Sequence, residues 1–201
     1  MSTNVWFGKG VADDGEFRLC GNVSGKRTIE LGIAPVPASV PANAITLALA
    51  GAKSIIVDPS DERIADIRRQ AEQAEVRVEC HLGELADLGF ATSGSVDLVV
   101  ATHTLDDVDD LPRLLRQVHR VLRPDASFVV SLTHPFAAMF DAGVDAPLHR
   151  YGTSARSIGE LFMSFERSNF RIDVIHELTP MAARDALVPT VLLLRARKLG
   201  V

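Results

Sequence analysis

The chain is short of the features that mark several functional classes. Its 201 residues hold two cysteines, Cys20 and Cys80, neither in a Cys-x-x-Cys pair. So few thiols fit a reducing compartment. A domain of this length buries roughly 70% of its unfolded surface, enough for a core without a disulfide or metal staple. No apolar run approaches a membrane span: the longest, Ala44 to Ala52, is interrupted by Thr46 and Gly51. The amino terminus, MSTNVWFGKGVADDGEF, lacks the apolar centre of a signal peptide, so a cytoplasmic protein without a membrane partner is expected. Basic charge is also scarce. There are 21 Lys and Arg against 26 Asp and Glu, a net charge of −5, and no basic block, which argues against a nucleic-acid partner. Internal repeats and low-complexity tracts are absent.

One further scarcity is local. After the first strand-like run, where a dinucleotide binder carries a glycine-rich turn, the chain reads Gly32-Ile33-Ala34-Pro35-Val36-Pro37. There is no G-x-G-x-x-G, and Tyr151 has no lysine four residues on, so a nicotinamide-dependent dehydrogenase is disfavoured.

What is present is a regular alternation of β-rich and helical patterns. Five apolar runs, Thr28–Leu31, Ser54–Val57, Val76–His81, Val96–Thr102 and Ser127–Leu132, read as strands buried on both faces of a parallel sheet. Helices are expected over Ala42–Ala50, Asp61–Ala74, Leu111–Leu122 and Ser157–Asn169. The third carries the clearest apolar stripe: Leu111, Leu114, Leu115, Val118, Val121 and Leu122. Arg171–His176 and Thr190–Ala196 follow with no room for a helix between them, so the last strand is expected to run antiparallel. The order βαβαβαβαβαββ predicts an α/β protein: one doubly wound, seven-stranded, mostly parallel Rossmann-like sheet in a single domain spanning 1–201. The amino-terminal 1–26 would be a cap segment and 133–156 a lid-like loop.

In such sheets ligands bind beyond the carboxyl ends of the strands. Asp58 closes the second strand, where a carboxylate can accept both hydroxyls of a ribose; Ser60 is free to cap the helix that follows. Glu84, after the third strand, can meet the edge of a base, with Leu85 packing on its face. Gly32 allows close approach to the first strand, and Glu30 can bond either the loop or a ligand ammonium. His81, His103 and His134 each fall at or just past a strand's carboxyl end, and an imidazole there is poised to take a proton near neutrality.

The segments RTIELG, AGAKSIIVDPSDERI, HLGELADLGF, GSVDLVVATHTL and LLRQVHRVLRPDASFVVSLTHP resemble, in order and spacing, class I S-adenosylmethionine-dependent methyltransferases, in particular the small type-11 members. The resemblance covers roughly residues 25–135 and implies strand order 3-2-1-4-5-7-6 with an antiparallel last strand. It also implies adenosylmethionine as cofactor. Glu30 and Gly32 match the family's first motif, Asp58 its ribose acid, Glu84 and Leu85 its adenine-side pair, and Ala101 and Thr102 the strand end near the sulfonium. In that order the third and fourth strands lie three positions apart, roughly 14 Å at about 4.8 Å per strand, so the histidines are not expected to share a metal.

The chain departs from the family in two places. Ala34 stands for the second glycine of the first motif, with Pro35, Pro37 and Pro41 removing three backbone donors, and Asp125 and Ala126 replace the glycine pair after HRVLRP. Adenosylmethionine has no pyrophosphate, so it does not require a phosphate-cradling turn. The expected activity is methyl transfer by in-line displacement to a small-molecule acceptor, with His134 or His103 assisting the acceptor. The alternative is a catalytically silent methyltransferase-like fold that serves as a ligand-binding or interaction module.

Overall fold

The apolar runs pair into one sheet of seven strands: β1 (Arg27–Leu31), β2 (Lys53–Asp58), β3 (Val78–Leu82), β4 (Val96–Thr102), β5 (Leu122–Thr133), β6 (Phe170–Leu178) and β7 (Val191–Lys198). The computed structural model describes residues 4–106, 108–141, 144, 146–182 and 186–200. Strand order is β3-β2-β1-β4-β5-β7-β6. β1 to β5 are mutually parallel, and β7 runs antiparallel to both β5 and β6. This is the predicted topology. Among the described residues no helix is long and apolar enough to cross a membrane.

Helices cover both faces. On one side α4 (Leu111–Val121) and α5 (Ile158–Arg167) pack Leu114, Leu115, Val118 and Phe165 onto Ile29, Leu31, Val99 and Phe128. On the other side α2 (Asn43–Leu49), α3 (Asp61–Gln73) and the amino-terminal residues Val5, Phe7, Leu19 and Val23 cover Ile56, Leu98 and Val100. A short α1 (Asp14–Phe17) lies within that amino-terminal stretch. Because side chains alternate along a strand, Ile29 and Leu31 commit Thr28 and Glu30 to the opposite, α2-bearing face. The helix starts follow local chemistry. The side chains of Ser60, Asp110 and Ser157 each accept an amide of the first turn, at Arg63, Arg113 and Glu160, and Ser157 and Glu160 form a reciprocal capping box.

Two connections differ from the sequence expectation. Residues 83–95, between β3 and β4, form turns rather than a helix, since glycines at 83, 89 and 94 interrupt every candidate helical stretch. β5 begins at Leu122, immediately after α4, rather than at Ser127. Its pairing with β4 jumps from Val96↔Leu122 to Leu98↔Ser127, so the intervening residues bulge. Asp125 takes φ +59° in that bulge, a conformation Asp tolerates better than most residues and one that answers for the missing glycine. The loop 133–156 contains a short 3-10 turn at Ala137–Met139, and its residues 142, 143 and 145 lie outside the described set.

Candidate active site

The chain order reverses beside β1, which pairs with β2 on one side and β4 on the other. Beyond the carboxyl ends of these strands opens a cavity of about 480 Å³, inside the roughly 300–1,000 Å³ range of small-molecule sites. Gly32, Asp58, Glu84, Leu85, His103 and Thr104 contribute to its wall. Four of the residues singled out for cofactor binding thus meet around one hollow. Pro35 is one of the residues that line it.

Gly32 is held at φ +71°, and its amide donates to the Val57 carbonyl at 2.8 Å. A Cβ here would lie 2.8 Å from the Thr104 side chain, whose hydroxyl donates to the Leu31 carbonyl. Only glycine satisfies both the dihedral and the space.

Asp58 is fully buried at the base of the cavity. Its Oδ1 accepts the Ser60 amide at 2.8 Å, and its Oδ2 accepts the Ile33 amide at 2.8 Å and faces Arg63 Nη2 at 3.0 Å. Arg63 Nη1 also donates to the Ile33 carbonyl at 3.3 Å. The carboxylate therefore fastens the proline loop to α3, and Arg63 lies over it.

Glu30 points away from the cavity. Buried beneath α2, its Oε2 accepts the Ala44 amide at 2.6 Å and its Oε1 the Ala34 amide at 3.4 Å, so it ties the first turn of α2 and the loop to β1. Burial pushes its pKa from 4.5 to about 8, with the Asp58 charge adding to the rise and the two amides opposing it. Ala101 and Thr102 are also fully buried and off the cavity wall. Thr102 Oγ1 accepts from Asn43 Nδ2 at 3.2 Å, and the strand reaches the cavity through the next two residues, His103 and Thr104.

The histidines part company. His134 is wholly buried, with Nε2 2.9 Å from Glu177 Oε1 and Nδ1 accepting the Phe136 amide at 3.2 Å, and it is not part of the cavity wall. His81 stacks on Phe90 at 3.7 Å between centroids and bonds Glu79. His103 stands on the cavity wall in a left-handed conformation, φ +52°. Its Nε2 donates to the Phe7 carbonyl at 3.0 Å, and its Nδ1 lies 3.6 Å from Asp106 Oδ2. Burial raises the Asp106 pKa, but the neighbouring His103 ring and the hydrogen bonds from Thr133 outweigh it and hold the carboxyl below its usual value.

Arg63, Thr104 and the loop residues Leu105, Asp106 and Val108 escaped the sequence reading. Arg63 carried a signal, as a cation in the first turn of the helix that starts three residues after Asp58. The loop carried none, because Arg156, some fifty residues on, holds it through the carbonyls of Leu105, Asp106 and Val108.

Residues 40–130 match the Methyltransf_11 family, a methyltransferase domain. A curated Mycolicibacterium smegmatis protein described as "Probable S-adenosylmethionine-dependent methyltransferase" is 29% identical over 117 residues, 58% of this chain and 43% of its own length. The chain thus spans about two-fifths of that relative. An S-adenosylmethionine-dependent methyltransferase from Mesorhizobium loti superposes with a TM-score of 0.70 at 25% identity, over 90% of this chain and 95% of that one. The geranyl diphosphate C-methyltransferase of Streptomyces coelicolor, solved with Mg²⁺, geranyl diphosphate and S-adenosyl-L-homocysteine, shares the fold. It superposes with a TM-score of 0.70 at 13% identity, over 91% and 75% of the two chains. A segment of the chain thus matches a methyltransferase-domain model, and the sheet has the class I fold of S-adenosylmethionine-dependent methyltransferases.

Proposed function

We propose that this protein binds S-adenosylmethionine in the cavity at the carboxyl ends of β1, β2 and β4 and transfers its methyl group to a small-molecule acceptor. The observation that carries this reading is the convergence of Gly32, Asp58, Glu84 and Leu85 on one hollow at the strand-order reversal, in a chain whose residues 40–130 match a methyltransferase domain.

The residues fit the group. Asp58 Oδ1 holds one amide and keeps a lone pair for a ribose hydroxyl, and Oδ2 gains another when Arg63 withdraws. Arg63 is half exposed, so its ion pair is easily exchanged for a ligand hydroxyl. Leu85 and Ala86 offer an apolar surface for a purine face, and Glu84 an acceptor for its amine. Glu30 shapes the loop from behind. When bound, adenosylmethionine supplies a methyl already activated by the sulfonium, and the carbon–sulfur electron pair stays on sulfur as the acceptor's lone pair forms the new bond. The protein's work is then alignment and exclusion of water. Of the two candidate histidines we favour His103, which borders the cavity, as the group nearest the acceptor. Its Nε2 proton is committed to Phe7, which suits a polar positioning role better than that of a base.

Calorimetry with S-adenosylhomocysteine tests the reading. Saturable binding lost in Asp58→Ala is expected, and absence of heat in the wild-type protein would overturn it. A second reading, a silent ligand-binding or interaction module, draws on the Arg63 clasp over a fully buried Asp58, and the same absence of binding would favour it.

A further inference from the structure

A second cavity, of about 570 Å³, adjoins the first and shares Pro35 and His103 with it. Trp6, Pro35 and Pro37 supply its apolar lining, and Lys9, Asp106 and Thr133 its polar groups. The walls are held in advance. Asn43 Oδ1 accepts the Trp6 amide at 2.8 Å and Asn43 Nδ2 donates to the Trp6 carbonyl at 3.1 Å, which locks the tryptophan segment to α2. The prolines give the wall its character: without N–H groups, Pro35 and Pro37 present rings where an ordinary loop would present donors. The charges are unequally matched. The Asp106 carboxylate already accepts the Thr133 amide and hydroxyl and faces His103 Nδ1 at 3.6 Å. Lys9, exposed at the mouth, has no ion pair or hydrogen bond among the described residues.

We infer that this second cavity is the acceptor site and that it selects a planar apolar molecule bearing a carboxylate or comparable anion. The ring lies against Trp6, Pro35 and Pro37, the anion meets Lys9, and the reacting group points across His103 and Pro35 toward the first cavity. The loop that departs from the family's glycine pattern is, on this account, a specificity wall rather than a damaged cofactor turn. The word acceptor rests on the methyltransferase reading; the anion-selective apolar cavity does not.

Trp6 is the sole tryptophan, so its emission reports directly on the cavity. The full chain is titrated with para-isopropylbenzoate and with the neutral para-isopropylbenzyl alcohol, and separately by calorimetry with S-adenosylhomocysteine. The expected result is a saturable change in Trp6 emission with the carboxylate bound about three- to fivefold more tightly than the alcohol, a preference erased in Lys9→Gln. No saturable change, equal affinity for acid and alcohol, or a preference surviving in Lys9→Gln would each overturn the inference. Adenosylhomocysteine binding without carboxylate selectivity removes this inference alone. Carboxylate selectivity without adenosylhomocysteine binding removes the methyltransferase reading and leaves the anion cavity standing.

Discussion

Arg63 Nη2 lies 3.0 Å from Asp58 Oδ2, over a carboxylate that is itself fully buried, so the acid best placed to grip a ribose is held by a side chain of its own protein. On the proposed reading, a ligand diol and the guanidinium would compete for the same oxygen. Arg63→Gln is therefore expected to bind S-adenosylhomocysteine about three- to tenfold more tightly, while losing no more than about 1 kcal/mol of stability because the arginine is half exposed. Calorimetry decides it. Weaker binding in the variant would mean that Arg63 contacts the ligand rather than blocking it.

The sequence reading puts His134 ahead of His103, and their surroundings in the structure separate them differently. His134 is buried with both ring nitrogens bonded, so His134→Ala should cost about 2–4 kcal/mol in chemical denaturation and leave turnover per folded molecule unchanged. His103→Asn should do the reverse, lowering turnover at least tenfold with a small stability loss. Were His134→Ala folded but inactive, the assignment of roles would be inverted.

The architecture was legible because strands buried on both faces announce themselves as unbroken apolar runs, and because Asp61, Pro112 and Ser157 mark helix starts. The strand-end position of Asp58 was legible for the same reason. Its occupancy by Arg63 was not, since that depends on how α3 is set against the proline loop. Glu30 illustrates a half-legible case. Alternation with Ile29 and Leu31 assigns it to one face of β1, but only the packing of α2 reveals the Ala44 amide waiting there. The burial of His134 was not legible either, since its partner, Glu177, comes forty-three residues later on β6.

Gly32 separates a required glycine from a merely tolerated one. Gly32→Ala combines a left-handed φ with a Cβ 2.8 Å from Thr104, and the two together should cost about 2–4 kcal/mol. By contrast, Gly83→Ala, where a Cβ meets nothing within 4 Å, should be nearly neutral. Urea midpoints of the two variants measure the difference, and equal midpoints would show that the loop moves freely away from Thr104.

Glu30 makes stability depend on pH. Its pKa rises from 4.5 to about 8 on folding, chiefly through burial, so the folded chain holds this proton more tightly than the unfolded one. Its contribution is complete below pH 4.5 and is lost as pH climbs to about 8. Asp14, buried and raised from 3.8 to about 6, acts with the same sign but is spent by about pH 6. Asp106, Glu160 and Asp173 are lowered and lose their contributions only as the solution becomes more acidic than the ordinary carboxylate range. Stability should thus fall between pH 6 and 8, and Glu30→Gln should flatten that fall while Asp14→Asn leaves it in place. Melting temperatures recorded across the range test this, and parallel wild-type and Glu30→Gln profiles would show that the carboxyl under α2 is already ionised at neutral pH.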